Sequence, residues 1–288
     1  MTELAKEPLW VPLNLHPRLA NTVEDIDRNI DSALQRTYIP FLDLFGKKRG
    51  AVSIVGSGPS LKKNWQKMRD MGHDIIACNA ACQFLLEREV VPQYMFCFDA
   101  DPLMLEFITP HPEITYLMGS RCPPQAFDML KDCKVVIWHA GGDANIESLL
   151  NKHNKMEPMI SGGTAAITRS MLLAQAMGWS EIHLWGCDSS YSEGETHIRQ
   201  STTKEVGLSV MVNGRSFLCS PWMCQQAEDF KVLAPPMRDM YGLKLVVHGD
   251  GIIPHLAYSM FFETDLESNI KRYWRMFFAV LRTLWAKL

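Results

Sequence analysis

Ala51-Val-Ser-Ile-Val55 and the six residues after it, Gly56-Ser-Gly-Pro-Ser-Leu61, constrain this chain more than any other stretch. Five small or β-branched residues in a row read as a buried strand. The strand ends at Gly56, a second glycine follows at Gly58, and Pro59 sets a backbone angle suited to the first turn of a helix. Leu61, Trp65 and Met68 then recur at helical spacing through Met71. Strand, glycine turn, helix is the geometry that aims free N–H groups and the positive end of a helix at an anion. Gly56 and Gly58 let the backbone approach closely, and Ser57 and Ser60 add hydroxyl donors, so the turn reads as a phosphate cradle for a nucleotide. The competing reading is a plain tight turn, because a helix end alone contributes only ~0.3–2 kcal/mol. The spacing matches neither G-x-G-x-x-G nor G-x-x-x-x-G-K-[ST], which disfavours a dehydrogenase and a P-loop ATPase.

With 288 residues, 47% hydrophobic and 21% charged, the chain has globular composition and length for one large α/β domain with terminal additions. A net charge of −3 gives no field that favours nucleic acid. The first residues carry acids and lack an apolar core, so no signal peptide is expected, and no run approaches a bilayer span. The eight cysteines are scattered, several of them, such as Cys78 and Cys97, in strand-like runs, and read as reduced core residues of a cytoplasmic protein. Neither Cys78-x-x-x-Cys82 nor Cys219-x4-Cys224 has zinc-ribbon spacing.

Residues 1–48 read as a proline-bearing arm followed by a helix from Val23 to about Tyr38, capped by Asn21-Thr22 with Asp25 near the capping-box position. Residues 49–258 form the main domain. Strands are expected at 51–55, 74–78, 94–98, 114–118, 135–138, 181–185 and 243–247, with helices between them. That alternation implies an α/β, Rossmann-like, doubly wound and mostly parallel sheet. Asn213-Gly214 predicts a β-hairpin, and the helix over 223–241 is expected to break at Pro235-Pro236. Residues 259–288 carry a basic amphipathic helix, read as packing on the core or on a second copy, or as contact with an anionic membrane through 265–288.

Ligands of such sheets bind outside the carboxyl ends of the strands. Gly56, Asn79, Asp99 and Asp188 each follow a predicted strand and should converge on one rim. An amide at Asn79 can read a base or ribose edge, or simply cap a helix. Asp99 and Asp101 can hold Mg²⁺ beside phosphates, or shape a turn. Ser161-Gly162-Gly163-Thr164 repeats the first motif: a glycine turn feeding a helix, hence a second anion or ribose site. His197, in a polar loop, can act as a general base, and Arg199 can clamp a phosphate or carboxylate.

Taken in order, the 55–61 turn, Cys78-Asn79, Phe98 to Pro102, Ser161 to Thr164, Trp185 to Asp188 and Thr196-His197 resemble the MptE-like family. That family groups archaeal 6-hydroxymethyl-dihydropterin diphosphokinases with bacterial motility accessory factors. The G-x-G-P-S-L turn and the Gly-Gly turn are also similar to those of bacterial sialyltransferases that use CMP-sugars. The resemblance covers about residues 50–200. It implies a Rossmann-like nucleotide-binding fold and transfer chemistry at a phosphate or a phosphate-linked sugar.

Three functions remain open. The first is a glycosyltransferase using a nucleotide-activated sugar and a small-molecule or glycan acceptor. Gly56, Ser57, Gly58, Pro59 and Ser60 would hold its phosphate, and Asn79 and Ser161–Thr164 the nucleoside. Asp188 and His197 would position or deprotonate the acceptor. The second is an ATP- and Mg²⁺-dependent diphosphokinase acting on a pterin-like hydroxymethyl group. The third is a silent nucleotide-binding or assembly module.

Overall fold

The computed structural model describes residues 21–192 and 207–263. Helix α1 (Val23–Leu34) starts at the expected cap: Asp25 N–H donates to Thr22 Oγ1, and Thr22 N–H donates back to the Asp25 carboxylate. It stops at Leu34, short of Tyr38. Pro40 disfavours helical backbone at Ile39, and the two residues form a short strand, β1 (Ile39–Pro40).

The strands and helices then alternate. Strand β2 (Ala51–Val55) leads to α2 (Leu61–Asp70), and β3 (Asp74–Cys78) to α3 (Ala80–Leu86). After β4 (Tyr94–Cys97) and β5 (Thr115–Gly119) come α4 (Pro124–Met129), β6 (Lys134–Ala140), α5 (Ile146–Lys152) and β7 (Met159–Ile160). Helix α6 (Ala166–Met177) ends at Gly178, whose φ of 108° reverses the chain into β8 (Glu181–Trp185). An antiparallel hairpin follows, β9 (Leu208–Val212) and β10 (Arg215–Cys219), turning on Asn213 and Gly214, both at positive φ as its two-residue turn requires. Helix α7 (Pro221–Asp239), β11 (Lys244–Val247) and α8 (Ile252–Ala257) complete the described chain.

Eight strands pair in the order β1-β6-β5-β4-β3-β2-β8-β11, and β7 pairs with β6; every pairing in this sheet is parallel. Alternate residues feed the two faces. Val52, Ile54, Ile76 and Phe96 join a core with α6 and α7, while Val55, Ile75, Ala77 and Met95 join another with α2, α3 and α4. Two apolar faces explain why the strands read as continuous apolar runs rather than as alternation. The fold is α/β and doubly wound.

The expected break in the 223–241 helix does not occur, because α7 runs unbroken through Pro235 and Pro236. The two prolines cannot donate to the carbonyls of Lys231 and Val232, but both of those residues are exposed, so water can take over. Phe230, Ala234 and Met237 are buried from the same helix and hold it on the sheet. The proposed membrane or packing segment, 265–288, lies outside the described residues. Among the described residues no helix is long and apolar enough to cross a membrane.

Candidate functional site

The strands from β2 to β6 are laid down in one direction, and β8 then joins β2 on its other side. The sheet order therefore reverses between β2 and β8, where open α/β sheets form their ligand crevice. Gly56, Asn79, Asp99 and Asp188 all line one cavity of about 650 Å³ at this rim, as the strand-end argument expects.

The glycine turn is not open, however. Gly56 N–H donates to Trp185 O at 2.7 Å and Gly58 N–H to Gly186 O at 2.8 Å. Ser60 N–H donates to Asp188 Oδ2 at 2.7 Å, and its hydroxyl donates to Asp188 Oδ1 at 2.5 Å. Ser60 itself is already helical and makes no cap. Asp188, arriving from β8, supplies the acceptor that the start of α2 lacks. Among the described residues, no protein acceptor meets the Ser57 N–H, and Pro59 has none to offer. The donors of Gly56, Gly58 and Ser60, expected to face a phosphate, are here engaged by β8 and its loop.

The fit is tight enough to require glycine. A Cβ on Gly58 would lie 2.6 Å from Asp188 Oδ2 and 2.7 Å from Gly186 O. Gly249 and Gly251, after β11, crowd Asp188 from the other side. Asp188 is 1% exposed, and burial pushes its carboxyl up to about 6, against the Ser60 hydrogen bonds and with some help from Asp250.

The second glycine turn repeats the arrangement. Thr164 N–H and Oγ1 both donate to Asp229 Oδ2 at 2.6 Å. Gly162 and Gly163 hold φ of 97° and 72°, and α6 begins at Ala166 rather than directly at Thr164. Ser161 is exposed and Gly163 and Thr164 line the cavity.

Asn79 occupies the cap position of α3 without making a cap bond. Its φ of 48° and ψ of −126° are strained for a residue with a side chain. Its buried Oδ1 has no hydrogen-bond partner. Asn79 thus brings strain and an unsatisfied amide oxygen to the cavity wall. Asp99 and Asp101 also line the cavity, yet each gives a carboxylate oxygen to the chain. Asp101 N–H donates to Asp99 Oδ1 at 3.3 Å, and Leu103 N–H to Asp101 Oδ1 at 2.9 Å. Among the described residues no three His, Cys, Asp or Glu side chains come together to hold a metal ion. His197 and Arg199 lie outside the described residues.

Two arginines of the cavity went unnoticed in the sequence. Arg121 follows β5 and pairs with Asp143 at 2.9 Å. Arg169, in the first turn of α6, is 7% exposed. It donates to the carbonyls of Ile160 at 2.5 Å and Gly163 at 2.8 Å, bracing the second glycine turn. Both guanidinium groups meet the Phe98 ring, Arg121 at 4.9 Å and Arg169 at 5.0 Å from its centre. Burial holds Arg169 below the usual arginine range; Asp143 works against that and Arg121 adds to it. Arg121 is two residues past a strand end, so the rim argument would have found it. Arg169 lies inside a helix rather than past a strand end and gives no such signal.

A family model described as 6-hydroxymethylpterin diphosphokinase MptE-like matches residues 24–194. The chain belongs to the MptE-like family. No curated protein matches it by sequence. Among solved structures, this MptE-like chain is similar to the MAf glycosyltransferase from Magnetospirillum magneticum AMB-1, at 17% identity and a TM-score of 0.58. That match covers 81% of this chain and 37% of the other, so the chain spans little more than a third of that enzyme's length. The sialyltransferase CstII from Campylobacter jejuni, solved with cytidine-5'-monophosphate, matches at 17% identity and a TM-score of 0.33, over 72% of this chain and 86% of its own. A mammalian sialyltransferase matches at 14% and 0.40, over 81% and 82%. The first likeness is one of fold.

Proposed function

We propose that this MptE-like protein is a transferase whose donor is a nucleotide-activated sugar, bound in the cavity at the carboxyl ends of β2–β5 and β8. One observation carries the choice of donor. Both glycine turns that could cradle a polyphosphate already hold a carboxylate of the chain, Asp188 at Ser60 and Asp229 at Thr164. A triphosphate would have to displace or face those charges, whereas a donor with one phosphate needs few donors. The Ser57 N–H and the Asn79 amide remain for it, with Arg121 and Arg169 near its negative charge.

In this reading the bond between the sugar's anomeric carbon and the phosphate breaks as an acceptor hydroxyl attacks that carbon. The nucleotide leaves with the electron pair, so the protein's main tasks are orientation and charge stabilisation. Asp188 acts by holding the β2 and β8 loops together, as a positioning residue. His197 is proposed to take the acceptor's proton, and Arg199 to hold its anionic or polar groups.

The second reading, an ATP-dependent diphosphokinase, is favoured by the family description and by Asp99 and Asp101 on the cavity wall. Mg²⁺ beside phosphates needs only one or two carboxylates. Thermal unfolding of the full chain with CMP-, UDP- and GDP-sugars, and with ATP, each with and without Mg²⁺, separates the readings. A ligand at 100 times its Kd adds about 2.7 kcal/mol. A metal-independent rise with a CMP-sugar, which carries a single phosphate, supports the proposal, and one confined to UDP- or GDP-sugars keeps sugar transfer but removes the argument from the filled turns. A rise confined to ATP with Mg²⁺ overturns it in favour of diphosphoryl transfer, and no rise with any nucleotide leaves a silent module.

A further inference from the structure

The cysteine pair dismissed as a zinc motif by its spacing has a different geometry in the fold. Strand β10 ends on Cys219, Ser220 caps α7, and the first turn of α7 carries Cys224 back over the strand end. Cys219 Sγ and Cys224 Sγ lie 3.2 Å apart, both as free thiols. Cys219 is fully buried and Cys224 half-buried, so Cys224 is the more accessible residue of the two. Among the described residues no third metal-ligating side chain joins them.

We propose that Cys219 and Cys224 are an oxidation site, a dithiol that a hydroperoxide converts to an intrachain disulfide. The Cys224 thiolate attacks a peroxide oxygen. The O–O bond breaks, the departing oxygen takes up a proton to leave as water or an alcohol, and Cys224 becomes a sulfenic acid. Cys219 then attacks the Cys224 sulfur, the S–O bond breaks, and water leaves. The two sulfurs lose two electrons in total and the peroxide gains them.

The surroundings favour Cys224 as the attacking group. It is in the first turn of α7, where the helix end favours a thiolate. The hydrogen bond shared with Cys219 favours its thiolate, against its burial and the charge of Glu228 one turn on. Elsewhere burial does the reverse: Cys78 and Cys82 are pushed up to about 12, and Cys97 and Cys187 well above the usual thiol value. The pair brackets Trp222 and Met223, both in the cavity wall, so its oxidation staples a segment of that wall to the hairpin.

Trypsin leaves both cysteines in one peptide, residues 216–231, so the test is direct. The reduced full chain is treated with hydrogen peroxide, blocked with iodoacetamide and digested. The expected product is this peptide lighter by two hydrogens, closed to alkylation and reopened by dithiothreitol. Before oxidation, Cys224 should alkylate on the order of tenfold faster at pH 7 than Cys78 or Cys82. Cys219→Ser should trap a sulfenic acid at Cys224 that dimedone captures, and Cys224→Ser should abolish both products. Peroxide that yields only sulfinic or sulfonic acid at Cys224, or a disulfide to some other cysteine, overturns the proposal. The wild-type peptide decides this even if a variant does not fold.

Discussion

At the scale of single residues, the site turns on acceptors that are already taken. Asp188 receives two hydrogen bonds from Ser60 in a buried setting. Bonds to a charged acceptor are worth ~1.5–3 kcal/mol each, so Asp188→Ala should cost about 3 kcal/mol in urea unfolding. Asp188→Asn keeps an acceptor and a donor for Ser60 and should cost less. The two variants also separate in pH. A carboxyl raised from 3.8 to about 6 holds its proton more tightly folded than unfolded. Its stabilising share is therefore full below the unfolded value and is lost as pH rises through the folded one. Relative to wild type, Asp188→Asn should gain stability between pH 4 and 6; parallel curves would refute the raised carboxyl. Asn79 makes the opposite point. A non-glycine residue at φ 48°, ψ −126° carries strain of order 1–3 kcal/mol. Asn79→Gly should leave the melting temperature unchanged or higher, and should shrink the rise produced by whichever nucleotide binds. A large loss of stability would mean that Asn79 is there for the fold.

At the scale of elements, the strands were legible because a buried parallel strand is a short apolar run whatever its partners. The predicted spans 51–55, 74–78 and 181–185 coincide with β2, β3 and β8. Residues 141–160 yielded no expectation, since α5 and β7 are short and bury little. Helix α7 misled for another reason: local proline chemistry opposed tertiary packing, and packing prevailed. That conflict is measurable. Pro235→Ala or Pro236→Ala restores a donor to a helix interior, where proline costs about 3 kcal/mol. The stiffer unfolded chain returns only ~0.4–1 kcal/mol of that to proline. Each variant should melt higher than wild type; a lower melting temperature would show that the proline-bearing backbone is shaped for its neighbours. The rim positions were legible from topology, but the occupancy of their donors was not. Ser60 and Asp188 are 128 residues apart, and nothing local to either announces the other.

At the scale of the whole molecule, three loops from β2, β8 and β11 close on one carboxylate, so the ligand rim should behave as part of the core. Amide exchange followed by mass spectrometry should find the Gly56, Gly58 and Ser60 amides as protected as β2 itself, with Ser57 exchanging faster, and Asp188→Ala should release Ser60 without releasing β3 or β4. Rapid exchange of Gly56, Gly58 and Ser60 in the wild type would contradict the hydrogen bonds of that turn. The order of strands has a further consequence, for synthesis on the ribosome. Strand β2 pairs with β3 early, but its other edge waits for β8, and Trp185 reaches Ser53 across 132 residues of chain. At ~5–20 residues per second, translation leaves that apolar edge unpaired for roughly 10 s. A growing chain in that state is open to pairing with its neighbours on a polysome, so the strand that completes the rim also ends the interval in which this protein is most exposed to aggregation.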